Sequence, residues 1–275
     1  MKTISPHPVS LVRLLASVLA VGVVGCAAPV GIPEQLPDRA QRMDHGYLYY
    51  FDGAGGGTAK KNWAEGVRDG LLAGGYPGAG EMFTWETGDG LMADQDASVK
   101  FKRAKAKEAA SRIVSHVNEY PNPPLDILGF SAGTAVAIFA LEDLPESVQV
   151  NDIVLLGTSI SRNYDLTKAL KRVRGHVYVY TSTRDRMLDF LMPFSGTADR
   201  KFDDPGAGIT GFVLPHGTTA ATRKLYAEKI ITIPWTAAME KDGDYGRHFN
   251  NVKMEFIRDQ VAPLFLGKRV PGLPR

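Results

Sequence analysis

The chain has 275 residues, 44% of them hydrophobic and 23% charged, with 29 Gly, 17 Pro and a single Cys. Its 32 basic side chains against 30 acidic ones leave a formal charge of only +2. This excludes a disordered chain, a collagen-like repeat and a polytopic membrane protein, and the missing basic excess argues against a nucleic-acid partner. One Cys makes neither an internal disulfide nor a Cys-based zinc site.

Residues 1–25 read as an export leader. Lys2 and Arg13 precede the apolar run from Leu14 to Val24, eleven residues long and too short to span a bilayer as a helix. The end of that run, Val23-Val24-Gly25-Cys26, resembles the lipobox of bacterial lipoproteins, in which the leader is cut just before the Cys. The resemblance implies acylation at Cys26, a membrane anchor and an extracytoplasmic place in a bacterial cell envelope. Losing Lys2 and Arg13 would bring the basic side chains level with the 30 acidic ones. Residues 26–44, with Pro29, Pro33 and Pro37, read as a tether, and residues 45–275 as one domain.

Six short apolar segments follow, at 47–51, 81–85, 125–129, 152–156, 176–180 and 229–233. Near-continuous apolar runs suit strands of a parallel sheet covered on both faces. Helical periodicity appears over 98–119, with Ala109, Ile113 and Val117 on one face, then over 132–143 and 251–264. The alternation predicts a three-layer α/β fold: a mostly parallel sheet of about six strands with helices on both faces. Ligands in such sheets bind beyond the carboxyl ends of the strands, so functional residues are expected there.

Directly after the third strand stands Gly129-Phe130-Ser131-Ala132-Gly133, a G-x-S-x-G pattern running straight into a helix. Such a turn lifts one hydroxyl clear of the sheet, and small flanking residues let strand end and helix start approach. In this context the chain resembles the α/β-hydrolase family over about residues 46–266, and the stretch 152–165 looks like a group of uncharacterised bacterial hydrolases of that fold. The resemblance implies a nucleophile at Ser131, with the acid and then the histidine later in the chain. His248, in a glycine-containing loop before the last helix, matches the family's place for the base; His216 is the alternative and His176 comes too early. Asp185, a few residues past the fifth strand, matches the acid, with Asp189 and Asp199 as alternatives.

The oxyanion donors implied are the backbone N–H of Ala132 and one from the loop Asp52-Gly53-Ala54-Gly55-Gly56-Gly57, where the sequence does not choose between Gly53 and Ala54. That loop lacks the Lys-Ser/Thr ending of a phosphate-binding loop. The apolar segment from Met187 to Phe194 reads either as a cleft wall or as core. The function expected is an exported, lipid-anchored serine hydrolase that cleaves carboxylic esters of a small-molecule or lipid substrate, without metal or organic cofactor. A thioesterase, an acyltransferase and a catalytically silent envelope lipoprotein of the same fold are the competing expectations.

Overall fold

The computed structural model describes residues 35–56, 63–271 and 273. The leader, Cys26, most of the tether and Gly57 lie outside these residues. Six strands form one sheet: β1 (Tyr47–Phe51), β2 (Ala79–Met82), β3 (Leu125–Phe130), β4 (Ile153–Leu156), β5 (Val177–Thr181) and β6 (Ile230–Pro234). Their order is β2-β1-β3-β4-β5-β6 and every pairing is parallel. β2 lies two residues upstream of the expected segment. Phe83 still donates its N–H to Tyr50, but Trp85 has left the ladder and turns its indole N–H onto the Asp52 carbonyl at 2.8 Å.

Alternation along the strands divides the interior into two cores. Tyr47, Tyr49, Phe51, Ile127, Ile153, Leu155 and Val179 face one side. Leu48, Tyr50, Leu128, Phe130, Val154, Leu156 and Tyr180 face the other. Both faces are covered by helices, which is why nearly every strand residue is apolar and why the runs read as continuous.

On the second face pack α1 (Trp63–Ala73) and the C-terminal helical run. That run consists of an α turn at Met254–Phe256, a π turn at Ile257–Val261 and an α turn at Ala262–Phe265. The π turn lies where the buried Tyr180 hydroxyl donates to the Gln260 carbonyl at 2.8 Å, a local widening of the helix fitted to a side chain.

On the first face pack α2 (Val99–Glu119) and α3 (Gly133–Asp143). Ser98 caps α2 by accepting the Phe101 N–H, and the buried Lys102, Ala106, Ala109, Ala110 and Ile113 follow helical spacing. Pro121 comes just after the helix, so Tyr120 adopts a non-helical conformation and α2 stops. α3 differs from α2 in kind: all its residues through Glu142 are buried, so it carries no amphipathic stripe.

The start of α3 touches the end of β1. A Cβ built on Gly133 would lie 2.2 Å from the Asp52 carbonyl oxygen and 2.4 Å from that of Phe51. Both obstacles are backbone and neither can swing away. Gly133→Ala is therefore expected to destabilise the protein by about 1–3 kcal/mol, read as a lower urea midpoint; an unchanged midpoint would contradict this packing.

Candidate active site

Because the strands are all parallel, their carboxyl ends share one edge, and four of those ends deliver side chains to one place. β1 reaches β2 on one side, whereas β3 returns to pair on its other side, so the connections diverge at β1 and β3. Crevices in open sheets form at such a point.

Ser131 follows β3 directly. Its φ is +48°, a left-handed conformation that a residue with a Cβ rarely adopts, and its N–H is held by the Leu156 carbonyl at 2.9 Å. Holding a serine there costs about 1–3 kcal/mol. The glycines around it are explained by what they touch. A Cβ on Gly129 would lie 3.1 Å from Thr134 Cα, and one on Gly53 would lie 3.1 Å from Ser131 Cβ.

Asp185 sits four residues past β5 and immediately before α4 (Arg186–Ser195). Its Oδ1 accepts the Leu188 N–H at 3.1 Å, an N-cap interaction that fixes the carboxylate. The other oxygen, Oδ2, lies 2.7 Å from His248 Nδ1, and His248 Nε2 lies 2.9 Å from Ser131 Oγ. All three side chains are buried, at 9% exposure or less. With Nδ1–H donating to the carboxylate, Nε2 is left to accept the serine proton.

The His248 loop is tied down from several directions. Ser182 at the end of β5 donates to the Gly246 carbonyl at 2.7 Å, Asp244 accepts the Gly246 N–H at 2.7 Å, and the Trp235 indole donates to the Asp244 carbonyl at 3.0 Å. Burial holds the Asp244 carboxyl up at about 6, with the charge of Asp185 adding to the effect. The imidazole lies against Phe130, with ring centres 5.0 Å apart, and edge-on to Phe249 at 5.2 Å. Its remaining side faces Gly157, where a Cβ would stand 3.0 Å from His248 Cε1. The sequence reading missed Gly157; the available signal was a glycine placed directly after the fourth apolar run.

The loop after β1 hangs on Asp52. This buried carboxylate accepts the Tyr50 hydroxyl at 2.7 Å and the Gly53 N–H at 2.6 Å. Gly53 thus spends its N–H on Asp52, and of the two candidate donors left open by the sequence, Ala54 is the one with no such bond among the described residues. A Cβ on Gly56 would meet Asp52 Oδ2 at 2.4 Å. Below the loop, the Asp94 carboxylate accepts the Gly55 N–H at 2.8 Å, and burial raises Glu86 to about 7.

The alternatives fall elsewhere. His216 and Asp189 are exposed. Asp199 accepts from the Ser161 N–H and the Thr197 hydroxyl, a structural role. The apolar segment after Asp185 divides: Leu188 is core, Met187 lines a cleft beside His248, and Phe190 and Phe194 are 68% and 72% exposed. Among the described residues no group of three His, Cys, Asp or Glu side chains is placed to hold a metal ion.

No family model matches the chain and no curated protein matches it. Among solved structures it matches the agmatine ureohydrolase of Thermoplasma volcanium, at 12% identity and a TM-score of 0.28, covering 86% of this chain and 97% of that one. These findings correct the expected identity. Membership of the α/β-hydrolase family is not upheld, because no family model matches the chain. The carboxylic-ester assignment came with that family and is not upheld without it. The lipoprotein and membrane assignment finds no support: Cys26 lies outside the described residues, among which no helix is long and apolar enough to cross a membrane. A likeness at this TM-score assigns neither fold nor chemistry to the chain.

Two tests address the geometry. Gly157→Ala adds a methyl group against the imidazole at a residue with φ +51°. It should cost about 1–2 kcal/mol and disturb His248, seen as altered NMR shifts of that imidazole in an otherwise native spectrum; unmoved resonances would show that the contact does not constrain the ring.

The second test uses Asp52, whose carboxyl burial raises from 3.8 to about 6. The folded protein keeps that proton to higher pH than the unfolded chain, so this contribution to stability is complete below 3.8 and is lost as pH rises through about 6. Asp52→Asn should flatten the fall in denaturation free energy over that interval; an unchanged slope would contradict it.

Proposed function

We propose that the chain is a hydrolase in which Ser131 is a covalent nucleophile, His248 its general base and Asp185 the group that orients and stabilises the imidazolium. The observation that carries this is the continuous buried line Asp185–His248–Ser131, with contacts of 2.7 and 2.9 Å. A free serine hydroxyl is a weak nucleophile at neutral pH, and this line is the arrangement that removes its proton as it attacks.

In the proposed reaction Ser131 Oγ adds to a polarised carbonyl carbon of the substrate while its proton passes to His248 Nε2. The negative charge that develops on the carbonyl oxygen is received by the N–H of Ala132 and that of Ala54. Donors already aimed at a developing charge cost no reorganisation when the reaction occurs. Nε2 then returns the proton to the leaving group, and a water activated by the same imidazole frees the serine. These atoms specify attack at such a centre; they do not specify an ester as the bond that breaks.

An uncharged fluorophosphonate reports this nucleophile without presupposing a substrate. The protein should be labelled at Ser131, located by mass spectrometry of the digest. Ser131→Ala should abolish labelling, and Asp185→Asn should slow it on the order of 10^3- to 10^4-fold, both with native circular dichroism. Folded wild-type protein that stays unlabelled would sink the proposal.

A further inference from the structure

Beside the buried relay lies an open cleft of about 980 Å³ that His248 helps to line. Among the described residues, Arg184, Arg186 and Arg247 line it and no carboxylate does. The position of two of these arginines follows from the chain itself. Arg186 comes immediately after Asp185, and Arg247 immediately before His248. Each is the exposed neighbour in sequence of a buried member of the relay, and both line the cleft that His248 also lines.

Arg184 is already engaged. Its guanidinium lies 4.0 Å over the Trp235 ring and pairs with Glu240 at 3.6 Å. Arg186 and Arg247 make no side-chain hydrogen bond or ion pair with any other described residue. Among the described residues seven arginines pair with carboxylates, Arg68, Arg103, Arg112, Arg172, Arg184, Arg200 and Arg258, and Arg186 and Arg247 are not among them. Two unpaired guanidinium groups at the rim of a cleft of one charge sign focus the field onto an incoming anion. Guanidinium forks match the geometry of carboxylates and phosphates, and they keep their charge at any working pH.

We propose that the substrate of this site carries an oxyanionic group, a carboxylate or a phosphate, bound by Arg186 and Arg247 while the reactive carbonyl lies at Ser131. Met187 and Phe249, which line the same cleft, supply apolar contact for the segment between the two groups. The reaction half of this inference rests on the nucleophile proposed above; the anion-binding half does not.

The test has two arms. In the first, glutarate, inorganic phosphate and the neutral analogue glutaramide are titrated calorimetrically, at low ionic strength, into wild type, Ser131→Ala and the double variant Arg186→Gln/Arg247→Gln. At least one anion should bind wild type and Ser131→Ala, with glutaramide at least tenfold weaker, and the double variant should lose at least tenfold in affinity for that anion. Which anion binds separates carboxylate from phosphate. Equal binding of anion and amide, no binding of either anion, or full retention by the double variant would overturn the proposal.

In the second arm, fluorophosphonates with a carboxylate-ended and an amide-ended tail are compared. The carboxylate probe should label wild type at least tenfold faster, and that ratio should fall toward one in the double variant. Arg186→Lys/Arg247→Lys, which keeps charge but loses the fork, should retain part of the ratio. Anion binding without labelling by either probe would remove the nucleophile and leave the anion site standing. Equal labelling by both probes without anion binding would do the reverse.

Discussion

At the junction of β1 and α3 there is no space for a side chain, and the site's geometry follows from that shortage. The first turn of α3 lies against the carbonyls of Phe51 and Asp52 so closely that only a glycine fits at 133. Only Ser131 and Ala132 stand between the end of β3 and the start of α3, so the chain must change direction at once. Ser131 therefore takes φ +48°, and its side chain leaves the turn toward the sheet edge rather than into either core. The conformational cost falls on one residue, and the surrounding buried segments, β3 on one side and α3 on the other, are what hold it there.

The partners of Ser131 are brought in by a different device. Asp185 and His248 come from connections after β5 and β6, which lie away from β3 in the sheet. They reach it because each is fixed by bonds other than the one that matters. The N–H of Leu188 orients the Asp185 carboxylate, and Ser182, Asp244 and Trp235 hold the loop on which His248 stands. Phe130, the residue before Ser131, packs against the imidazole. One short segment thus supplies both the hydroxyl and part of the wall that positions its base. The exposed Arg186 and Arg247 belong to the same two connections, each next in sequence to a member of the relay.

β1, β3, β4 and β5 were legible in the sequence because burial writes them as apolar runs, and α2 was legible because its buried alanines keep helical spacing. β2 was displaced because Phe83 and Trp85 look like strand residues, although they serve as packing and as a hydrogen-bond donor beyond the ladder. Helix α1 was missed because Gly66 and Gly70 interrupt its pattern. Gly70 is there for close packing, since a Cβ would lie 2.5 Å from Ile257 Cβ. Helix α4 left no helical signature because its apolar residues serve two environments, Leu188 in the core and Phe190 and Phe194 in solvent. The order of nucleophile, acid and histidine implied by the resemblance pointed to Ser131, Asp185 and His248, and those three side chains do stand together in the structure. That Asp52 takes the Gly53 N–H was not legible, because it depends on where Asp52 turns its carboxylate. Gly157 was invisible for a similar reason: its role is the room it leaves for a side chain 91 residues further on. The family and ester assignments had been drawn from resemblance rather than from any residue's environment, and those were the parts that the comparisons corrected.

A crystal structure of the protein treated with an uncharged fluorophosphonate bears most directly on the central claim. The account predicts a covalent bond from phosphorus to Ser131 Oγ, with the phosphoryl oxygen about 2.7–3.1 Å from the backbone nitrogens of Ala132 and Ala54. An adduct on another residue, or a phosphoryl oxygen turned away from both nitrogens, would contradict it.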